Sequence, residues 1–376
     1  MRLASLLAVG PFAAIATAIT VAACGHDSGQ DAVSTDGGPG DASPLGASSD
    51  AGDAATDAAT GPVAIPMAVT QTSSDGATRF AVFVTIGDAG PIPVQLDTGS
   101  SGLRIEEGAV PDSAFASIST TAVTYSYHSG LEITGVVATA TVSMGPLSTP
   151  QPIPVMLIEQ LGCVSTDPNC GAAGQTPATY DLFGPYKAIL GVGMRNGDGQ
   201  IGNPIAQLVG EPAYIVEAPD LGGDAGTLLV APTAEQVASF VTHQLPAESG
   251  GEPLANGVAA FDDRYGLPTC LDDTTSGVDY CVPAELDTGD PSAYVEWPAA
   301  TTTANLPSGA VVQVQIGPDA GVLASYVDTV GSVLSSNITI EPASGEGFMN
   351  LGQGLFQRYD GLFDQKNGIV GLAAHP

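Results

Sequence analysis

Residues 94–103 read Val-Gln-Leu-Asp-Thr-Gly-Ser-Ser-Gly-Leu, and residues 284–290 read Ala-Glu-Leu-Asp-Thr-Gly-Asp. In each copy an apolar strand runs into Asp-Thr-Gly, which places aspartates at Asp97 and Asp287. The glycine of each triplet lets the backbone turn sharply and brings main-chain N–H groups close to the carboxylate. A lone Asp-Thr-Gly is usually an ordinary turn, whereas two copies on matching apolar strands indicate a paired site.

The repeat predicts a specific chemistry. Two such loops facing each other would bring the carboxyl groups of Asp97 and Asp287 together. Carboxylates this close cannot both ionise, so the pair shares one proton. One aspartate then acts as base towards a water molecule while the other acts as acid towards a carbonyl group.

Three further segments accompany the two loops. They are Val-Thr-Tyr-Ser-Tyr-His-Ser-Gly at 123–130, the apolar-Gly run Ala-Ile-Leu-Gly-Val-Gly at 188–193, and the tail from Leu351 to Ala373. With them, the chain from residue 66 onwards resembles the pepsin-like aspartic proteases. The run from Leu96 to Ile105 looks closer still to uncharacterised bacterial relatives of that fold. The resemblance implies an all-β, bilobal pepsin-like fold: two pseudo-twofold related β lobes with a cleft between them.

The resemblance also implies roles for the loop residues. Asp97 and Asp287 would be the catalytic pair, with Asp97 mostly ionised, Asp287 mostly protonated, and neither cofactor nor metal. The second residue of each triplet, Thr98 and Thr288, would point away from the substrate and hydrogen-bond across the lobes. These bonds would lock the two loops together.

Other positions would support the pair. Gly99 and Gly289 would give N–H donors to the carboxylates, and Ser100 would hydrogen-bond the outer oxygen of Asp97 and favour its ionised form. Tyr125 would lie on a flap, a hairpin that closes over the substrate. The alternative for Tyr125 is a strand aromatic that packs on the sheet. His128, at the hairpin tip, is expected to be exposed rather than catalytic.

Three features depart from the family pattern. Asp290 stands where a Ser or Thr is usual, and an ionised Asp290 would remove a donor from Asp287. Alternatively Asp290 turns outward and Ser292 supplies the hydroxyl. Arg104 replaces a tryptophan that often supports the flap tyrosine. The segment between Asp97 and Tyr125 is short, which predicts a more open cleft.

The first 24 residues are predicted to be a lipoprotein signal peptide. Arg2 precedes an apolar run, and Val-Ala-Ala-Cys at 21–24 resembles a bacterial lipobox. Cys24 would then be lipidated and anchor the protein outside the cytoplasm, to a bacterial outer membrane or cell surface. The alternative is an ordinary signal peptide with a chance cysteine. Lipidation is preferred because Cys24 has no evident partner among the other cysteines.

The remaining chain divides into three parts. Residues 25–65 are rich in Asp, Gly, Ala and Ser and predict a disordered acidic linker. Residues 66–232 would form the N-terminal lobe and residues 233–376 the C-terminal lobe. Just past this boundary, Thr233 and Gln236 have the spacing of a helix capping box. Both halves lie in one chain, so a monomer suffices to build the site.

Four cysteines form two close pairs, Cys163 with Cys170 and Cys270 with Cys281. Outside the cytoplasm these predict two local disulfides. A metal site is disfavoured, because none of the four histidines has ligand spacing to a cysteine.

The composition limits the function classes. The 48 glycines and 29 prolines, with 13% charged residues, are typical of a turn-rich β protein. The chain has 40 acidic and 8 basic residues, a net charge of −32, so a nucleic-acid partner is not expected. The sequence has no Gly-x-Ser-x-Gly and no phosphate-binding loop of the form Gly-x-x-x-x-Gly-Lys.

Two hypotheses remain. The first is an endopeptidase, active best at acid pH, in which Asp97 and Asp287 activate a water against a peptide or protein substrate. The second is a catalytically impaired module whose cleft binds extended peptides. Both aspartates and both threonines are present, which favours the first hypothesis. Asp290 favours the second.

Overall fold

The structure is a computed structural model that describes residues 61–71, 78–177, 179, 183, 185–196, 201–208, 212–219, 223–250, 253, 257–332, 337–343 and 345–375. The predicted signal peptide, Cys24 and linker residues 25–60 lie outside this part of the chain. Within it, no helix is long and apolar enough to cross a membrane.

The all-β prediction is confirmed: the described chain forms two sheets, one of which curls into a half-barrel. The larger sheet has 15 strands. They are β1 Val63–Gln71, β2 Thr78–Ile86, β3 Ile92–Asp97, β4 Ser101–Glu106, β5 Ser117–Ser126, β6 Leu131–Ala140, β7 Val142–Met144, β8 Leu147–Ser148, β9 Ile153–Cys163, β10 Ala188–Val192, β11 Ala213–Glu217, β12 Ala225–Val230, β13 Val241–Gln244, β22 Tyr359–Asp364 and β23 Ile369–Ala374.

The smaller sheet has eight strands, all from the second half of the chain. They are β14 Leu267–Asp273, β15 Val278–Glu285, β16 Ala293–Trp297, β17 Ala304–Asn305, β18 Val311–Ile316, β19 Ala324–Thr329, β20 Ile338–Pro342 and β21 Phe348–Asn350. Helices are short: a 3-10 turn at Asp112–Ala114, α1 Ile205–Leu208, α2 Ala234–Val237 and α3 Gln353–Phe356. The capping box predicted at Thr233 and Gln236 begins α2.

The strand order places the last two strands in the same sheet as the first strand. The larger sheet runs β13-β23-β22-β11-β12-β1-β2-β3-β10-β4-β9-β6-β5, with β7 and β8 attached beside β2. The last two strands, β22 and β23, thus pair beside β11, and their apolar residues Leu362, Phe363, Val370 and Leu372 are buried. β1 begins at Val63, so residues 63–65, predicted as the end of the linker, belong to the sheet because they pair with β12.

The centre of the larger sheet is the most buried part of the fold. Every residue of β4 and of β10 is buried, as expected where both faces of a strand are covered. The hairpin β5–β6 lies at the sheet edge, and alternate residues of β6 face the core. The rigid centre carries the first Asp-Thr-Gly loop, and the edge hairpin projects from it.

Both predicted disulfides are present. Cys163 at the end of β9 is bonded to Cys170, and Cys270 on β14 is bonded to Cys281, which lies opposite on β15. β15 is the strand that leads to Asp287, so the second bridge restrains its pairing. Two disulfides indicate an extracytoplasmic protein.

Candidate active site

Each Asp-Thr-Gly loop lies in the same arrangement of strands. β3 ends at Asp97 and pairs in parallel with β10, which places Gly191 opposite Asp97. β10 also pairs antiparallel with β4, the strand that leaves the loop. Around Asp287, β21 pairs in parallel with β15 and antiparallel with β16 in the same way. Each apolar-Gly segment therefore runs between the two strands of its loop.

The two loops are joined by reciprocal threonine hydrogen bonds. The Thr98 N–H donates to Oγ1 of Thr288 at 3.0 Å, and the Thr288 N–H donates to Oγ1 of Thr98 at 2.9 Å. The hydroxyls in turn donate to the carbonyls of Leu286 and Leu96, at 2.5 and 3.0 Å. All four bonds are buried, so each loop fixes the position of the other.

Glycine is required where the loops touch. A Cβ at Gly99 would lie 2.4 Å from the carboxyl carbon of Asp287, and one at Gly289 would lie 2.4 Å from Oδ1 of Asp97. Any side chain would push the loops apart. The Gly99 N–H donates to Asp97 at 2.8 Å and the Gly289 N–H to Asp287 at 2.5 Å. The structure therefore brings Asp97 and Asp287 together at the centre of the site.

Burial raises the pKa of Asp97 to about 8, and the neighbouring Asp287 is the second cause. The Ser100 hydroxyl, which donates to Oδ2 of Asp97 at 2.5 Å, acts in the opposite direction. The pair thus retains a shared proton to near-neutral pH. Which of the two carboxyl groups is mostly ionised stays a prediction, because the pair titrates as a unit.

The donor missing from the second loop comes from another strand. Asn350, at the end of β21, donates from Nδ2 to Oδ2 of Asp287 at 2.7 Å, and its Oδ1 accepts the Gly352 N–H at 2.8 Å. This residue is 3% exposed and its amide orientation is fixed at both ends. Asn350 therefore gives Asp287 the contact that Ser100 gives Asp97.

Asp290 adopts neither arrangement predicted for it in full. Its Oδ1 accepts the main-chain N–H of Ser292 at 2.9 Å, and the hydroxyl of Ser292 is not the donor to Asp287. Burial, with Asp287 as second cause, raises the pKa of Asp290 to about 6. Asp290 is thus a third carboxyl group in the site, held by its own turn.

Arg104 packs against the ring of Tyr125. Its side chain is fully buried, and the guanidinium carbon lies 3.6 Å from the centroid of the Tyr125 ring. Tyr125 also packs edge-to-face on Tyr127 at 5.0 Å. A desolvated cation–π contact stabilises such a ring by about 2 kcal/mol. Tyr125 both packs on the sheet and lines the cavity, so its two proposed roles are compatible.

His128 is exposed at the hairpin tip, as the sequence predicts, and it also contacts the smaller sheet. Its ring stacks on Tyr294 of β16, with centroids 3.9 Å apart and planes 7° from parallel. Nδ1 lies 3.3 Å from Glu296 and Nε2 lies 3.2 Å from Glu341. The tip of the β5–β6 hairpin thus contacts the smaller sheet through the His128 ring, which stacks on one side chain there and lies close to two carboxylates.

A cavity of about 570 Å³ lies under this hairpin. Its lining includes both aspartates, Tyr125, His128 and Asn350, together with three arginines, Arg79, Arg195 and Arg264. Volumes of this order suit a short segment of a ligand.

Arg195 links the pair to a second acidic cluster. It donates from Nη2 to the Gly99 carbonyl at 2.8 Å and to Glu285, and its Nε lies 3.1 Å from Asp263. Burial raises the pKa of Glu285 to about 8, partly offset by Arg195. One guanidinium therefore serves two buried carboxyl groups and fixes the first loop from below.

Comparison with known proteins gives a partial match. A family model described as "Protein of unknown function (DUF3443)" matches residues 85–244. The matched segment contains Asp97, Tyr125 and the Cys163–Cys170 bridge, and ends before Asp287. No pepsin-like family model matches the chain, and no curated protein matches it.

Sequence reasoning missed Asn350, Arg195 and Glu285. Asn350 had a signal, because it lies inside the second apolar-Gly segment, Phe-Met-Asn-Leu-Gly at 348–352. Glu285 lies two residues before Asp287, and Arg195 two residues after Gly193. In a chain with only 8 basic residues, an arginine next to a motif was a usable indication. Among the described residues, no cluster of three or more His, Cys, Asp or Glu has the geometry to hold a metal ion.

Proposed function

We propose that this protein is an aspartic-type endopeptidase with Asp97 and Asp287 as its catalytic pair. The observation that carries the proposal is the meeting of two Asp-Thr-Gly loops, with reciprocal Thr98 and Thr288 hydrogen bonds and two carboxyl groups in contact. A buried carboxyl pair with one shared proton combines an acid and a base in one place. For the fold, we propose a bilobal, pepsin-like arrangement with pseudo-twofold related halves.

The reaction follows from the proton state. The ionised carboxylate takes a proton from water as the water oxygen attacks the carbonyl carbon of the peptide, and the protonated carboxyl donates its proton to the carbonyl oxygen. The resulting diol collapses as a proton passes to the departing nitrogen, and the C–N bond breaks without a covalent intermediate. The raised pKa of Asp97, about 8, extends the range of this one-proton state from acid to near-neutral pH.

The location is part of the same proposal. Lipidation at Cys24 would hold the domain at a bacterial outer membrane or cell surface, as a monomer, where it would act on neighbouring proteins or external peptides. Loss of labelled palmitate from the protein on Cys24→Ser would support the anchor. Undiminished labelling of that variant would contradict it.

A second candidate is a module that binds extended peptides without cleaving them. Asp290 favours it, because a further, half-buried carboxyl group near Asp287 adds a charge next to the pair when it ionises. Under this alternative the cavity and the hairpin are retained for binding, and the pair is a structural remnant.

The decisive experiment is cleavage of a broad peptide library between pH 3 and pH 9. Wild-type protein would be compared with Asp97→Asn and Asp287→Asn, and with Asp112→Asn as a control at an exposed aspartate that does not line the cavity. We expect cleavage that either pair variant abolishes and the control leaves intact, with a decline above about pH 8. Folded wild-type protein that binds peptides and cleaves none would favour the second candidate.

A further inference from the structure

The charge of the cavity differs from the charge of the chain. The whole sequence has 40 acidic residues against 8 basic ones. The cavity lining has four acidic residues, of which two are the catalytic pair, against three arginines and His128. Positive groups are thus concentrated where a ligand would bind, in a protein that otherwise repels acidic molecules.

Arg264 differs from Arg195 in its partners. Arg195 lies within 3.1 Å of Asp263 and donates to Glu285. The nearest carboxylate to Arg264 is Glu296, at 3.9 Å from Nη2, and the same Glu296 oxygen lies closer to His128, at 3.3 Å. At 3.9 Å the Arg264 contact is beyond hydrogen-bond distance.

Buried donor capacity also remains on Arg264. Its Nε is buried and has no hydrogen-bond partner, while the side chain as a whole is 33% exposed. Arg264 is among the residues that line the cavity. A guanidinium with unused donors matches a carboxylate in a bidentate manner.

The position of Arg264 is fixed before any ligand binds. The guanidinium carbon lies 4.1 Å from the centroid of the Phe348 ring. The loop that carries it is held by Asp262, whose Oδ1 accepts the main-chain N–H groups of Arg264 and Tyr265 at 3.2 and 2.8 Å. A fixed donor group loses little freedom when it binds, which favours selective recognition.

We propose that Arg264 is a specificity determinant that recognises an acidic side chain, Asp or Glu, of an extended peptide in the cavity. The inference rests on the proposed function and names its substrate class. The raised pKa of Asp97 agrees with it, since the pair keeps its proton at pH values where a substrate carboxylate is ionised.

The test uses matched peptides that differ only in Glu or Gln at one position, scanned along the sequence. We expect wild-type protein to prefer Glu at one position by about tenfold or more in kcat/KM, the lower limit for a charge-assisted hydrogen bond. Arg264→Gln should remove this preference and still cleave the Gln peptide. The preference should also vanish below about pH 4, where the substrate carboxyl is protonated.

Arg358→Gln is the matched control. Arg358 also lies over an aromatic ring, Tyr326, and is paired with Asp328, but it does not line the cavity. This variant should keep the wild-type Glu preference. A preference lost equally in both variants would point to a general effect of charge rather than to recognition by Arg264, and would overturn the inference.

Failure of the inference and failure of the proposed function are distinguishable. Equal cleavage of all Glu and Gln peptides by the wild type would overturn the inference and leave the peptidase intact. If nothing is cleaved, equilibrium binding of the same peptides decides. A Glu preference that Arg264→Gln removes supports the inference for a binding module, and equal or undetectable binding overturns it.

Discussion

The raised pKa of Asp97 predicts a pH dependence of stability that does not require any activity. Its pKa moves from an ordinary value of 3.8 to about 8 on folding. Between these values the folded state holds a proton that the unfolded state has released. The stabilisation is therefore complete below pH 3.8 and is lost as pH rises to 8, at about 1.4 kcal/mol per pH unit.

The perturbation that isolates this effect is Asp97→Asn, which is neutral at every pH. The full shift corresponds to about 6 kcal/mol as an upper limit, since Asp287 shares the proton. Between pH 5 and pH 7 the wild type should lose about 3 kcal/mol more of its free energy of unfolding than the variant does. Glu285 and Asp290 titrate in both proteins, so their contributions largely cancel in the comparison.

Urea denaturation at half-unit steps from pH 5 to pH 9 measures this difference. The two curves should converge or cross up to about pH 8 and run parallel above it. Asp112→Asn, at an exposed position, should follow the wild type throughout. Parallel curves for wild type and Asp97→Asn between pH 5 and pH 7 would refute the idea that burial holds a proton on Asp97.

Three other contacts give predictions. Thr98→Val should lower the free energy of unfolding by about 2–3 kcal/mol in urea denaturation, because it leaves the buried Thr288 N–H without an acceptor, whereas Thr98→Ser should lower it by much less. Arg104→Met should raise hydrogen exchange in the β5–β6 hairpin, because it removes a contact of about 2 kcal/mol with Tyr125; unchanged exchange would contradict this. His128→Phe retains a ring for stacking but loses both carboxylate contacts. Limited proteolysis at pH 5 should therefore cleave the hairpin tip faster in this variant than in the wild type. Equal cleavage rates would count against a stabilising role of the two contacts.

Local patterns predicted the elements well. β3 ends at Asp97 and β15 ends at Glu285, so both predicted strands lead directly into their Asp-Thr-Gly loops. The capping box at Thr233 lies within one helical turn and needs no distant partner. The disulfide between Cys270 and Cys281 could be predicted for a similar reason, since both cysteines lie in one hairpin.

Contacts between residues that lie far apart in the sequence could not be predicted from it. Asn350 approaches Asp287 only because β21 runs between β15 and β16. Only the family resemblance related Arg104 to Tyr125, because no local pattern connects the two positions. Likewise His128 is exposed, as a hairpin tip usually is, but its contacts with Tyr294 and Glu296 of the smaller sheet have no signal in the local sequence. The burial of Asp97, which raises its pKa, likewise depends on residues that lie far from it in the sequence.

The segment matched by the family model contains only one of the two Asp-Thr-Gly loops. Residues 85–244 include Asp97 and Thr98 but none of their partners from the second loop. Thr98 donates to the carbonyl of Leu286 and accepts from Thr288, about 190 positions away. Without the second loop these buried groups would lie unpaired, at about 1–3 kcal/mol each. The chemistry of Asp97 is therefore a property of both loops together, and a function assigned to the matched segment alone would omit the residues that give it a shared proton.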